Sequence, residues 1–248
     1  MNLDRIIAVR NDKTVYRDGD VCVKVFGSSY SQADILNEAL NQVRAEEAGL
    51  CVPKVKEITM LDGKWAILFE YIKGDTLSQL MQRNPAQKIK YLELMLKLQC
   101  AIHEKRGSKL CRMTDRIVEN IEKADFSATA RYDLYERLEA MPKLNKFCHG
   151  DFNPTNIIIS RDGTPYFLDW SHAVQGDNSA DVVKTYLWLH LNGDTAAEKY
   201  LELFCEQSGV DMQYVQKWMP LVAAAQLASS NEAERKNLSL WIDVVNHE

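Results

Sequence analysis

His149, Gly150, Asp151 and Asn156 fall within one octapeptide, and Asp169 follows on the far side of an Ile157-Ile158-Ile159 run. At ordinary residue usage the first four at this spacing arise by chance in about one chain of this length in a thousand. Their types suit phosphoryl transfer, which asks for an oriented hydroxyl, divalent metal on the phosphate oxygens and fixed positive charge. Asp151 would accept or orient the proton of an acceptor hydroxyl. The Asn156 amide oxygen and the Asp169 carboxylate would hold Mg2+, a hard cation that prefers oxygen ligands. Taken singly, Asp151 reads as a cap and Asn156 as a turn residue; the ordered set favours the chemistry.

Lys24 and Glu38 extend the pattern. A lysine in a valine-rich strand, with a glutamate on the following helix, suits an ion pair that steadies an ammonium against nucleotide phosphates. Cys22 shares the strand face of Lys24 and would form part of a roof over adenine. A surface lysine and a solvated helical glutamate are the plainer alternative.

The elements that must position these groups follow from periodicity. Short β-prone runs cover Arg5–Val9, Thr14–Arg17 and Val21–Phe26, the last two joined by an Asp18-Gly19 hairpin signal. Ser31–Ala48 reads as a helix with Ile35, Leu36, Leu40 and Val43 on its apolar side. Val55–Met60 and Trp65–Glu70 form a second strand pair, and residues 71–75 read as a hinge. Beyond it helical patterns dominate: Thr76–Gln82, Ala86–Glu104, Arg116–Met141, Asp181–Leu191, Thr195–Ser208, and Asp211 to the end. Within that half, Asn156–Ser160 and Tyr166–Asp169 flank an Arg161-Asp162-Gly163-Thr164-Pro165 turn as a hairpin, which would bring Asn156 and Asp169 to one metal.

The 248 residues, 46% hydrophobic and 26% charged, suit one large domain or two modest lobes and argue against disorder. A net charge of -5 disfavours nucleic acid as a partner. From Gly176 onward eleven acidic residues face five basic ones. A cationic substrate would suit that bias, and a solvated helical face accounts for it equally well. Six scattered cysteines without a C-x-x-C pair, a polar opening and no apolar run of membrane-spanning length point to a cytoplasmic protein with free thiols and no membrane partner.

On the His149–Asn156 motif with Asp169, and more weakly on Lys24 and Glu38, the chain resembles the aminoglycoside phosphotransferase and choline kinase family. The family's fold is similar to that of protein kinases. The resemblance implies an α+β, two-lobed, protein-kinase-like fold, with a small β-rich nucleotide-binding lobe over 1–72 and a larger helical catalytic lobe over 73–248. It implies an ATP-dependent kinase acting on a hydroxyl of a small molecule such as an amino alcohol or amino sugar. Asp151 would be the catalytic base, Asn156 and Asp169 the Mg2+ ligands, and Lys24 with Glu38 the phosphate-binding pair. Backbone groups of Glu70 and Ile72 would meet the adenine edge. By the same likeness His149 braces the catalytic loop, and Asp181 is mainly structural.

Two departures stand out. The segment expected over the phosphates, Val9 to Thr14, contains no glycine, which leaves a catalytically weak nucleotide-binding or scaffold protein as the alternative. Trp170 follows the metal aspartate where protein kinases carry phenylalanine and glycine, which favours the small-molecule branch.

Overall fold

A computed structural model describes residues 5–243 apart from residue 11. The polar opening at Met1–Asp4, Asn11 in the phosphate segment and the last five residues of the C-terminal helical pattern lie outside the described residues.

Along the chain, β1 (Ile6–Arg10), β2 (Lys13–Asp18) and β3 (Val21–Phe26) precede helix α1 (Gln32–Glu47). Strands β4 (Val55–Leu61), β5 (Lys64–Glu70) and β6 (Gly74–Thr76) lead into α2 (Leu77–Arg83). Three helices follow: α3 (Lys88–His103), α4 (Met113–Lys123) and α5 (Ala128–Glu139). Short strands β7 (Lys146–Cys148), β8 (Ile157–Ser160), β9 (Pro165–Phe167) and β10 (Val174–Gly176) surround the motif residues. Helices α6 (Asn178–Leu191), α7 (Ala197–Ser208), α8 (Met212–Leu227) and α9 (Glu232–Asp243) complete the described chain.

The chain divides into two compact units. The first comprises the described residues up to Ala86 together with Pro154–His172; the second comprises Gln87–Asn153 and the described residues from Ala173 onward. The first unit therefore includes hairpin β8–β9, which a single cut after residue 72 would exclude. The reason is pairing: β6 runs antiparallel to β8, with Asp75 opposite Ile159.

The first unit is built on an antiparallel sheet of order β1-β2-β3-β5-β4. Alternation along β3 sends Val23 to one face, packed with Ala66 and Leu68, and Phe26 to the other, packed with Ile67, Phe69, Ile35 and Ala39. Helix α1 covers the second face and starts at a capping box, Ser31 with Asp34. Its buried face differs from the apolar stripe read in the sequence. Ile35 of that stripe is buried, but Leu36, Leu40 and Val43 are exposed, while Glu38, Asn41 and Gln42 are buried. Both sets have helical spacing, and hydrogen bonds decide between them. Gln42 Nε2 donates to the Pro53 carbonyl at 2.7 Å, and Asn41 Nδ2 to the Trp170 carbonyl at 3.2 Å.

The second unit is mostly helical, with β7 and β10 paired antiparallel. Its core runs through Leu92, Met95 and Leu96 of α3, Val182 and Leu187 of α6, Phe204 of α7 and Trp218 of α8. The single helix read over Arg116–Met141 is two, because Ser127 Oγ accepts from Ala130 N at 3.1 Å and starts α5 afresh. Likewise the C-terminal pattern breaks before α9, where Asn231 Oδ1 accepts from Glu234 N.

Candidate active site

In the first unit, strand β3 and helix α1 aim Lys24 and Glu38 at each other. The Lys24 side chain is 10% exposed, and its Nζ lies 2.5 Å from Glu38 Oε1 and 3.2 Å from Asp169 Oδ1. Burial works against the Lys24 ammonium, yet Asp169 and Glu38 together raise its pKa above the ordinary lysine range. Burial also opposes ionisation of Asp169, but Lys24, then Lys13 and His172, hold its carboxyl far below the usual carboxylate range. Glu38 is pushed upward by burial against the pull of Lys24. One ammonium thus locks two carboxylates that the chain separates by 131 residues.

Hairpin β8–β9 delivers Asp169. Ile157 pairs with Phe167, and Leu168 N donates to the Asn156 carbonyl at 2.8 Å, so Asn156 and Asp169 sit at the same end of the hairpin. Asn156 is buried at the end of a short 3-10 turn, Pro154–Asn156. Asp169 has φ +60°, a left-handed backbone that costs a side-chain-bearing residue roughly 1–2 kcal/mol. Its surroundings impose that conformation. Ser171 Oγ donates to Asp169 Oδ1 at 2.9 Å; the fully buried Trp170 donates through Nε1 to the Phe167 carbonyl and accepts from Asn41.

Of the other first-unit candidates, Ile72 is buried, and Glu70 N donates to the Lys54 carbonyl at the end of β5. Burial raises the Cys22 thiol to about 11, so it stays a neutral apolar surface beside Lys24. Lys13, part of the segment expected over the phosphates but given no site role from the sequence, also reaches this cluster, 3.6 Å from Glu38 Oε2.

Asp151 belongs to the second unit, in the loop that follows β7. Gly150 has φ +75°, a turn that a residue with a Cβ enters only at a cost. The loop is closed locally: Asp151 N donates to His149 Nδ1 at 3.2 Å, and Asn153 Nδ2 donates to Asp151 O at 3.1 Å and to its Oδ1 at 3.3 Å.

Side chains of helix α6 brace that loop by its backbone groups. Asp181 Oδ1 accepts from Gly150 N at 2.7 Å, and its Oδ2 accepts from His149 N at 3.3 Å. One turn on, Thr185 Oγ1 donates to the Phe152 carbonyl at 2.8 Å. Helix α3 supports the brace, with His103 Nε2 at 2.9 Å and Gln99 Nε2 at 3.0 Å from Asp181 Oδ2. Tyr200 OH in turn donates to Gln99 Oε1 at 2.7 Å. Burial opposes the Asp181 charge, but the hydrogen bond and charge of His103, with help from His149 and Gly150, bring its pKa down to about 2.

His103, Cys148 and Asp181 have potential ligand atoms within 4.8 Å of one another. The donors already on Asp181 account for that cluster as a hydrogen-bonded brace. Lys184, on the same helix, is pulled below the ordinary lysine value by burial, partly offset by Asp151 and Asp181.

Sequence reasoning missed Lys13, Gln99, His103, Thr185 and Tyr200. The one available signal for Gln99 and His103 was their position on the buried stripe of α3, alongside Leu92, Met95 and Leu96.

The profile of the phosphotransferase enzyme family, APH, matches residues 7–218. No curated protein matches the chain in sequence. Among solved structures, a thermostable mutant of aminoglycoside phosphotransferase APH(4)-Ia in ternary complex with ADP and hygromycin B is similar at TM-score 0.67. It is 15% identical, covering 96% of this chain and 90% of that one. The choline kinase LicA from Streptococcus pneumoniae is similar at TM-score 0.64 and 16% identity, covering 99% and 95%. A choline/ethanolamine kinase family protein from Mesorhizobium loti is similar at TM-score 0.62 and 18% identity, covering 99% and 87%. At such identities these likenesses establish a kinase-like fold.

Proposed function

The chain belongs to the phosphotransferase enzyme family, and from that premise we propose that it transfers the γ-phosphoryl group of ATP to a hydroxyl of a small molecule. The observation that carries this reading is the Lys24–Glu38–Asp169 cluster: a fixed ammonium 3.2 Å from a carboxylate that it holds below the usual carboxylate range.

The residues fit Mg2+. Asp169 offers an ionised oxygen on a side chain that is 20% exposed, and Asn156 adds a neutral amide at the same hairpin end. Bound there by Asn156 and Asp169, the metal would neutralise charge on the phosphate oxygens. Lys24 binds the phosphates as a point charge, and Glu38 keeps its stem pointed at them. Backbone groups of Glu70 and Ile72 receive the adenine edge. Asp151 accepts or orients the acceptor's hydroxyl proton, in a loop whose backbone is held by Asp181 and Thr185.

Several observations support a small acceptor. The tryptophan after Asp169 is buried and tied to α1 rather than followed by a glycine that could let the segment swing. One structural relative was captured with ADP and hygromycin B, and others are named as choline kinases. The acidic C-terminal third would attract a cation, so amino sugars and amino alcohols lead the acceptor classes. Nucleic acid is disfavoured by the net charge. Among the described residues no helix is long and apolar enough to cross a membrane. The described cysteines are all unpaired, which suits a cytoplasmic setting.

The test is ADP release by purified protein with MgATP and a panel of amino alcohols, aminoglycosides and sugars. Acceptor-dependent release is expected for at least one class. Tight MgATP binding with no transfer across the panel would favour a nucleotide-binding scaffold, the reading that the glycine-free phosphate segment supports.

A further inference from the structure

The β1–β2 turn has no glycine, but the glycine it needs lies opposite. Gly27 N donates to the Asp12 carbonyl at 2.7 Å, while Asp12 Oδ2 accepts from Ser29 N at 3.0 Å and Ser29 Oγ at 2.9 Å. A Cβ at residue 27 would stand 1.8 Å from Asp12 Oδ1, so a side chain there would displace the Asp12 carboxylate from this clasp. The start of β2 is thereby fixed to the β3–α1 connection instead of being left pliable.

The clasp sets the neighbouring lysine. Lys13 lies opposite Phe26 and Val15 opposite Lys24 in the β2–β3 register, and cross-strand partners share a face. Lys13 and Lys24 therefore project from the same side of the sheet, each ammonium 5.6 Å from the centre of the Phe26 ring. The Tyr30 ring lies 4.7 Å from the Lys13 ammonium, and Glu38 Oε2 is 3.6 Å away. With 11% of its side chain exposed, Lys13 is nearly as enclosed as Lys24. Glu38 thus carries one ammonium on each oxygen.

The two ammoniums differ in commitment. Lys24 is gripped by two carboxylates at 2.5 and 3.2 Å, whereas the close carboxylate contact of Lys13 is longer, and beyond the more distant pull of Asp169 its hold is aromatic. A flexible four-carbon stem lets such an ammonium turn toward a stronger anion without moving the strand.

We propose that Lys13 is a second phosphate-binding cation of the nucleotide site, replacing with a held charge the backbone cradle that a glycine-rich turn would supply. The assignment rests on the kinase reading above.

Calorimetric titration of ADP and AMP, with Mg2+, into the wild-type chain, Lys13→Gln and Lys13→Arg tests it. Lys13→Gln should weaken ADP about five- to twentyfold, leave AMP within about twofold, and raise KM for ATP more than it lowers kcat. Lys13→Arg should recover most of the ADP affinity. Equal ADP affinity in the wild type and Lys13→Gln overturns the assignment. An equal loss for ADP and AMP also overturns it, since that marks a scaffolding role. A wild-type chain that binds no nucleotide overturns the kinase reading itself.

Discussion

Replacing Asp181 with asparagine removes one charge and almost no volume, so it isolates what the brace under the Asp151 loop contributes. In the wild type Oδ1 accepts from Gly150 N, while Oδ2 accepts from His103 Nε2, Gln99 Nε2 and His149 N. An asparagine must present N–H to one of these sets. With its nitrogen toward Gly150 it meets a donor head-on. With its nitrogen toward α3 it loses Gln99 and His149. His103 alone can adapt, because its Nδ1 has no hydrogen-bond partner and can take the ring proton. Hydrogen bonds to a charged group contribute about 1.5–3 kcal/mol each. Losing the charge with one or two of them should cost about 3–5 kcal/mol, or roughly 6–20 °C in Tm for a chain of this size.

The acid dependence has a definite sign. The folded-state pKa is about 2, below the ordinary 3.8, so this carboxylate adds stability that is fully present above the ordinary value. That stability is lost as pH falls through 2, and it amounts to about 2–3 kcal/mol. Thermal unfolding followed by circular dichroism should therefore show a gap between wild type and Asp181→Asn that holds from pH 7 down to about pH 4 and narrows below it. A variant that melts with the wild type at pH 7, with the same acid profile, would refute the bracing argument.

Three further substitutions probe other parts of the structure. Glu38→Gln leaves Lys24 with Asp169 at 3.2 Å, so the urea-unfolding loss should be about 1–3 kcal/mol, below the cost of a wholly stranded buried charge. Its larger effect should be on KM for ATP, and an unchanged KM would count against phosphate binding by Lys24. Gly150→Ala forces a Cβ into φ +75° and should cost about 1–2 kcal/mol in the same assay, with kcat falling more than nucleotide affinity. Leu40→Gln should change stability by no more than about 0.5 kcal/mol, because Leu40 is exposed; a loss several times larger would show that its face is covered.

What could be read from the sequence was whatever local pattern determines. Alternation in Val21–Phe26 and the Asp18-Gly19 turn announced the β2–β3 hairpin, and the run after Asn156 announced β8–β9. Residue type and spacing alone flagged Lys24, Glu38 and Asp169, which the structure brings together. The burial of α1 could not be read, because its sequence carries two stripes of helical spacing. The polar one is buried because distant partners satisfy it, Lys24 for Glu38 and the Trp170 and Pro53 carbonyls for Asn41 and Gln42. The same holds for Gln99, His103 and Tyr200, polar residues on apolar faces whose partners lie up to 101 residues away. Lys13 lay in the segment expected over the phosphates, but its nearness to Glu38 follows only from the register that sets it opposite Phe26.

The most direct test of the central claim is single-turnover transfer of labelled γ-phosphate from MgATP to an amino-alcohol or amino-sugar hydroxyl, in the wild type and in Asp151→Asn. A phosphorylated acceptor is expected from the wild type, with a rate about 10²- to 10⁴-fold lower in the variant and nucleotide affinity retained. Transfer at an undiminished rate by Asp151→Asn would contradict the claim.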